Sequence, residues 1–207
     1  MAATQLRLYN RALRILKERR LITLTDKQET RYLLDEVWDE GGVRAALAKG
    51  HWNSAMRTVE LQYTSSIEPD FGHSRAFIKP ADWVRTSAFC SDSYFLNPIA
   101  GYADEAGYWF ADIDTVYIKY VSDDASYGGD MSLWTEGFFN VVAHYFASEI
   151  QGSLTSSESK EINVDERLRK ALSEAKSEDG QNEPSRYIPS GAWARSRTGG
   201  RRAGRER

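Results

Sequence analysis

One cysteine, Cys90, stands in 207 residues, so no intramolecular disulfide can form and a Cys-rich zinc or iron–sulfur site is excluded. Long apolar runs are missing too. The longest are a few residues, against the ~20 needed to cross a bilayer, and the start MAATQLRLYNRALRILKERR has no signal-peptide h-region. These absences predict a soluble chain made in the cytoplasm, without membrane association. There is no phosphate-binding glycine loop and no G-x-S-x-G elbow, and Cys90 has no recognisable catalytic partner. The three histidines, His51, His73 and His144, are scattered without metal-ligand spacing, and His144 reads as a packed, hydrogen-bonded side chain of an apolar helix. Asp112 with Asp114, or Asp123 with Asp124 and Asp130, invite a calcium reading. However, Val116 follows the first pair, and Thr135 stands where a loop opened by Asp124 needs its bidentate Glu. Solvated turns fit better, and neither a metal nor a cofactor is expected.

What is present is an ordinary globular balance, 41% apolar and 28% charged, with 25 aromatic residues that include six Trp. So many large rings suit interfaces as well as one small core. The net charge of −3 is unevenly spread: residues 185–207 hold seven Arg against Glu206, which leaves −9 on residues 1–184. An acidic body carries a basic tail, and that tail, rich in Gly and Ser and without periodicity, is not expected to fold alone.

Leu6, Tyr9, Leu13 and Leu16 recur at helical steps and predict a helix from Gln5 to about Arg20. Thr25-Asp26-Lys27-Gln28 has capping-box spacing before a second helix carrying Leu33, Leu34, Val37 and Trp38, which ends near Gly41-Gly42. A third runs from Val43 to Lys49, with Gly50 placed for a left-handed cap. After Trp52 the period becomes two: Val59, Leu61 and Tyr63 alternate with polar residues in a strand. Short strands are expected around Val84 to Cys90. Gly107–Ala111 and Thr115–Val121 read as a hairpin around Asp112-Ile113-Asp114, with Val116, Ile118 and Tyr120 on one face. Helical spacing returns at Phe138, Val141, Val142, Tyr145 and Phe146, and again in a charged helix from about Ser157 to Ser177 with Ile162, Leu168, Leu172 and Ala175.

The expected class is α+β: a mainly helical bundle (1–56 and 130–179), an inserted β-rich subdomain (57–129) and an extended basic C-terminal tail (180–207). Trp38, Leu34, Leu13, Phe138, Val142 and Tyr145 are expected to form the bundle core. Two function classes compete on the residues alone. Asp104-Glu105-Ala106-Gly107-Tyr108-Trp109 sets carboxylates beside aromatics, as a carbohydrate-directed hydrolase or binding module would. The arginine tail suits a nucleic-acid-binding module, although an acidic body opposes phosphates and capture of a protein fits equally.

Several strings in order, Leu8-Tyr9-Asn10-Arg11-Ala12-Leu13, His51-Trp52-Asn53-Ser54-Ala55-Met56-Arg57, Ile67-Glu68-Pro69-Asp70-Phe71-Gly72, Lys79-Pro80-Ala81-Asp82-Trp83-Val84-Arg85, Ala106-Gly107-Tyr108-Trp109-Phe110-Ala111-Asp112 and Asn182-Glu183-Pro184, give the chain a family likeness. Together they resemble the tail tubular protein A family, the head-to-tail adaptor (connector) proteins of short-tailed bacteriophages, over nearly the whole chain to about residue 197. The last stretch, TGGRRAGRER, departs from the family pattern. The resemblance implies a non-enzymatic virion protein at the head–tail junction: a dodecameric ring with the portal protein above, the tail nozzle (tail tubular protein B type) below, and genome DNA passing through the lumen without specific binding. An acidic body suits a channel that must not hold DNA. Read with the tail, it also implies portal docking, with Tyr187, Ile188 and Trp193 as anchors and Arg186, Arg195 and Arg197 as partners for acidic groups.

Overall fold

A computed structural model describes residues 4–69, 71–154 and 158–182. Helices α1 (Gln5–Leu16), α2 (Glu29–Asp39) and α3 (Gly42–Leu47) come first. Six strands follow: β1 (Met56–Gln62), β2 (Arg75–Ile78), β3 (Trp83–Cys90), β4 (Ala103–Glu105), β5 (Tyr108–Ala111) and β6 (Thr115–Ser122). Helices α4 (Glu136–Leu154) and α5 (Glu158–Asn182) come after them, so the fold is α+β, with every described strand lying between α3 and α4.

Helix α4 is the axis of the helical part, and the other four helices pack on it. Its sequence is apolar nearly all round, which is what a helix surrounded by others requires. Phe138, Phe139, Val141, Val142, Phe146 and Ile150 are all buried. Helix α1 buries only one stripe, Leu8, Tyr9, Ala12 and Leu13. It ends earlier than its periodicity suggests, because Lys17 turns left-handed (φ 64°) and the Lys17 and Glu18 amides bond back to Arg14 and Leu13, leaving Arg19 and Arg20 outside. The expected capping box does not form. Asp26 instead accepts the amides of Ile22 and Thr23, which holds the α1–α2 loop and its own carboxyl below the usual range, and α2 starts only at Glu29.

Of the six expected core residues, Leu13, Leu34, Phe138 and Val142 are buried, while Trp38 and Tyr145 are half-buried at its margin. The inward stripe of α5 is Val164, Ala171 and Ala175 with half-buried Leu168 and Leu172, whereas Ile162 is exposed. The helix continues to Asn182, three residues into the stretch read as tail. Gly50 is not a left-handed cap. A Cβ there would sit 2.7 Å from the Trp52 ring, so its role is to let that indole lie flat against the backbone and donate to Leu47 O at 3.2 Å.

The strands form two three-stranded antiparallel sheets, β1-β6-β3 and β2-β5-β4. The expected hairpin of β5 with β6 is therefore replaced by a crossing from one sheet to the other at Asp112–Asp114. The tight hairpin is β4–β5, whose two linking residues, Ala106 (φ 41°) and Gly107 (φ 86°), are both left-handed as a type I′ turn demands. Strands β2 and β4, of four and three residues, had no detectable period. Val116, Ile118 and Tyr120 do share one buried face, and they meet Phe77, Phe89, Trp109 and Ala111 in a second core between the sheets.

Candidate interaction surfaces

The quoted strings fall largely on the joints of this framework. In the first, Tyr9 OH donates to Asp35 of α2, the Asn10 amide exchanges two bonds with the Leu21 backbone, and Arg11 reaches Glu136 (2.6 Å) and Asn140 of α4. Burial is the main force raising the Tyr9 phenol pKa. In the second, Trp52 is buried against Phe138, and Asn53 bonds to Asp179 of α5.

The segment 79–85 ties the helices to both sheets. Asp82, just before β3, accepts hydrogen bonds from Arg57 of β1 (2.8 Å) and from Tyr120 OH (3.1 Å) and Ser122 of β6. Burial pushes the Asp82 carboxyl up, but those donors outweigh it and hold it below the usual range. Lys79 pairs with Asp104, its ammonium lying 3.9 Å from the Trp83 ring centre. The indoles of Trp83 and Trp109 both donate to Thr86 Oγ1 at 3.1 Å. Arg44 of α3 reaches Asp123 and the Trp83 carbonyl, and Arg85 reaches the Ala48 carbonyl.

This geometry bears on the carbohydrate reading. Asp104 is tied to Lys79 and Trp109, Trp109 is fully buried and so presents no stacking face, and the successive residues Asp104 and Glu105 lie on opposite faces of β4. The acidic turns have internal duties: Asp112 takes the Ser74 amide and faces His73, Asp114 pairs with Arg75, and Asp130 caps a short 3₁₀ turn at Met131–Leu133. His144 Nδ1 lies 2.8 Å from Asn140 O, and burial lowers its pKa. Among the described residues no three His, Cys, Asp or Glu side chains cluster as metal ligands would, and no helix is long and apolar enough to cross a membrane.

Arg186, Tyr187, Ile188, Trp193, Arg195 and Arg197, the expected portal-docking residues, lie outside the described residues, as do Asp70, Glu183 and Pro184 of the strings. Among the described residues, most aromatic side chains are buried or half-buried. Trp52 and Trp109 are fully buried and Trp134 nearly so, with Trp134 donating to Gly128 O at 2.8 Å.

Three outward features remain. Strand β1 ends at Gln62 opposite Thr115, and β3 ends at Cys90 opposite Tyr117, so the loops after them leave the first sheet at one end. The other end, with Met56, Val84 and Val121, packs into the helical core. The far loops present Phe71, Tyr94 and Leu96, which are 93%, 77% and 69% exposed. The second loop is built for this: Asp92 accepts the amides of Tyr94, Leu96 and Asn97. Beside α5, a 310 Å³ hollow is lined by Lys49, His51, Arg85, Lys176 and Asp179. On α1, a groove of 760 Å³ is lined by Arg7, Asn10, Arg11, Arg14, Lys17, Glu18 and Arg20. The helical spacing of those arginines was visible in the sequence, but it reads there as a solvated polar face. Neither a protein-family model nor a curated protein matches the chain.

Proposed function

We propose that the chain is a structural head-to-tail adaptor of a short-tailed phage, a ring subunit between portal and tail nozzle that encloses the DNA channel. The observation that carries the reading is the ordered series of strings, several of whose side chains join the parts of one framework: Tyr9, Asn10 and Arg11 join α1 to α2 and α4, Asn53 joins the start of the β part to α5, and Lys79 to Arg85 joins helices to sheets. A helical body with a β insertion supports it, since the insertion carries its exposed Phe71, Tyr94 and Leu96 on loops away from the bundle, as a subunit touching different partners at its two ends requires. The adaptor contributes no chemistry. Its work is to present surfaces in fixed register, and tight internal pairing of the joints serves that work.

The test is native mass spectrometry of the full chain alone and mixed with the portal protein encoded alongside it. A complex of fixed stoichiometry, one adaptor per portal subunit, is the expected result. Absence of any complex under conditions where both proteins are folded overturns the reading.

A further inference from the structure

The charge on the folded part is not uniformly acidic. Residues 1–20 hold six cations against Glu18, whereas residues 21–184 hold 28 acids against 14 bases. On α1, Arg7, Arg11 and Arg14 recur at steps of four and three, on the face opposite the buried Leu8, Tyr9, Ala12 and Leu13. Glu136 anchors Arg7 (2.9 Å) and Arg11 (2.6 Å), and both guanidinium groups lie over the Phe139 ring. Arg14, Lys17 and Arg20 are exposed and form no ion pair with any of the described residues.

Helix α2 carries the opposite pattern. Glu29, Glu36, Asp39 and Glu40 are exposed on the face away from buried Leu34. Tyr32, 53% exposed, lies on that face between Glu29 and Glu36, with the Arg31 guanidinium 4.1 Å from its ring centre. Each stripe lies opposite the buried side of its own helix, the Tyr9–Asp35 bond links the helices near the core, and none of Arg14, Lys17 and Arg20 pairs with the acidic stripe of its own chain. Arg7 to Arg14 and Glu29 to Glu36 each span about 10 Å of helix, at ~1.5 Å per residue.

We propose that the basic stripe of α1 docks on the acidic stripe of α2 of a second copy of this chain, with Tyr32 as the apolar centre of the contact. Every copy offers one stripe of each sign, so the contact is heterologous and repeats from copy to copy until a ring closes. This rests on the ring of the adaptor reading and names the surface that would join its subunits. Charge complementarity selects this occupant over a nucleic acid, whose phosphates the acidic remainder of the chain would repel.

The test is sedimentation velocity of the full chain across a concentration series, at low and high salt, with circular dichroism to verify folding. Two variants keep Arg7 and Arg11 in place: Arg14→Glu with Lys17→Glu, and Glu36→Lys with Asp39→Lys. The wild type is expected to associate with rising concentration, less so in high salt, and each variant is expected to associate at least tenfold more weakly. An equimolar mixture of the two variants should recover association, because the acidic α1 of the first meets the basic α2 of the second and the unaltered stripes also match. A wild type that stays monomeric at low salt, variants that associate normally, or a mixture that fails to recover each overturns the contact. So does tight capture of a fluorescent DNA duplex that the α1 variant alone abolishes. Portal complexes that form normally with both variants would remove this contact and leave the adaptor reading standing. Swap-restored association without portal binding would do the reverse.

Discussion

Asn53 donates two hydrogen bonds to Asp179 across 126 residues of sequence: its backbone amide to the Asp179 carboxylate at 2.9 Å, and its side-chain amide to the Asp179 carbonyl at 2.9 Å. The pair pins the far end of α5 to the point where the helices hand over to β1. Asp179 is buried, so removing its carboxylate leaves a backbone donor without its acceptor. Asp179→Ala is expected to cost about 1–3 kcal/mol, read as a lower urea midpoint with an unchanged slope. An unchanged midpoint would mean that α5 is held by its apolar stripe alone.

The tryptophans separate into two groups. Trp52, 1% exposed and packed at a tilt against Phe138, should cost roughly 3–5 kcal/mol when truncated to Ala. Trp38, half-buried and edge-on to Tyr9 and Phe146, should cost less than Trp52. Equal midpoints for the two variants, measured in the same denaturant series, would contradict this ranking.

Gly50 offers a sharper test of the same corner. Its backbone is not left-handed, so alanine is conformationally acceptable there, yet the added methyl would collide with the Trp52 ring. Gly50→Ala should therefore destabilise by about 1–3 kcal/mol, whereas a glycine chosen for chain flexibility would give a neutral or stabilising change. Near-ultraviolet circular dichroism should report the displaced indole.

Acid sensitivity should appear in two stages. Burial keeps His144 neutral, with its pKa below the usual 6.5, so its contribution is complete above that value and is lost as pH falls toward the folded one. Asp82 and Glu136 are held below their usual 3.8 and 4.5, because donated hydrogen bonds and arginines outweigh burial, and their contribution is lost only as pH falls below those values. The denaturation midpoint should be level between about pH 7 and about pH 9, sag below about pH 6.5 and fall steeply below about pH 4.5. His144→Gln should remove the sag and leave the steep limb. A variant that retains the sag would assign it to another group.

The helices were legible in the sequence because their apolar spacing is a local property: Tyr9, Leu13 and Leu34 needed no knowledge of their partners. Ends were harder. Thr25 to Gln28 has the chemistry of a helix start, but Asp26 is drawn to the Ile22 and Thr23 amides behind it, and Lys17 takes a left-handed cap that only its backbone bonds reveal. The β5–β6 hairpin failed for a different reason. Asp112-Ile113-Asp114 is good turn chemistry between two alternating segments, yet sheet membership is decided by distant strands, β1 and β3 for β6 and β2 for β5. The charged residues of the α1 and α2 stripes stand at helical spacing, but nothing in that spacing sets them apart from ordinary solvated faces. What the sequence could not say was that Arg7 and Arg11 turn in against Glu136 and Phe139 of α4 while Arg14, Lys17 and the α2 carboxylates stay exposed, because that depends on how each helix packs on α4.

The pairing of Met56 with Val121 brings the two ends of the β part side by side. For the assembling chain, this makes the insertion its own loop-closing device. Once β1 and β6 have zipped, the polymer joining α3 to α4 is no longer a long floppy tether but a short gap, and the entropy of bringing α1 to α4 falls accordingly. During synthesis the residues of both sheets are made before those of α4, so β1 and β6 can close this gap before α4 is available to pack. The insertion thus shortens the tether between the helices that flank it.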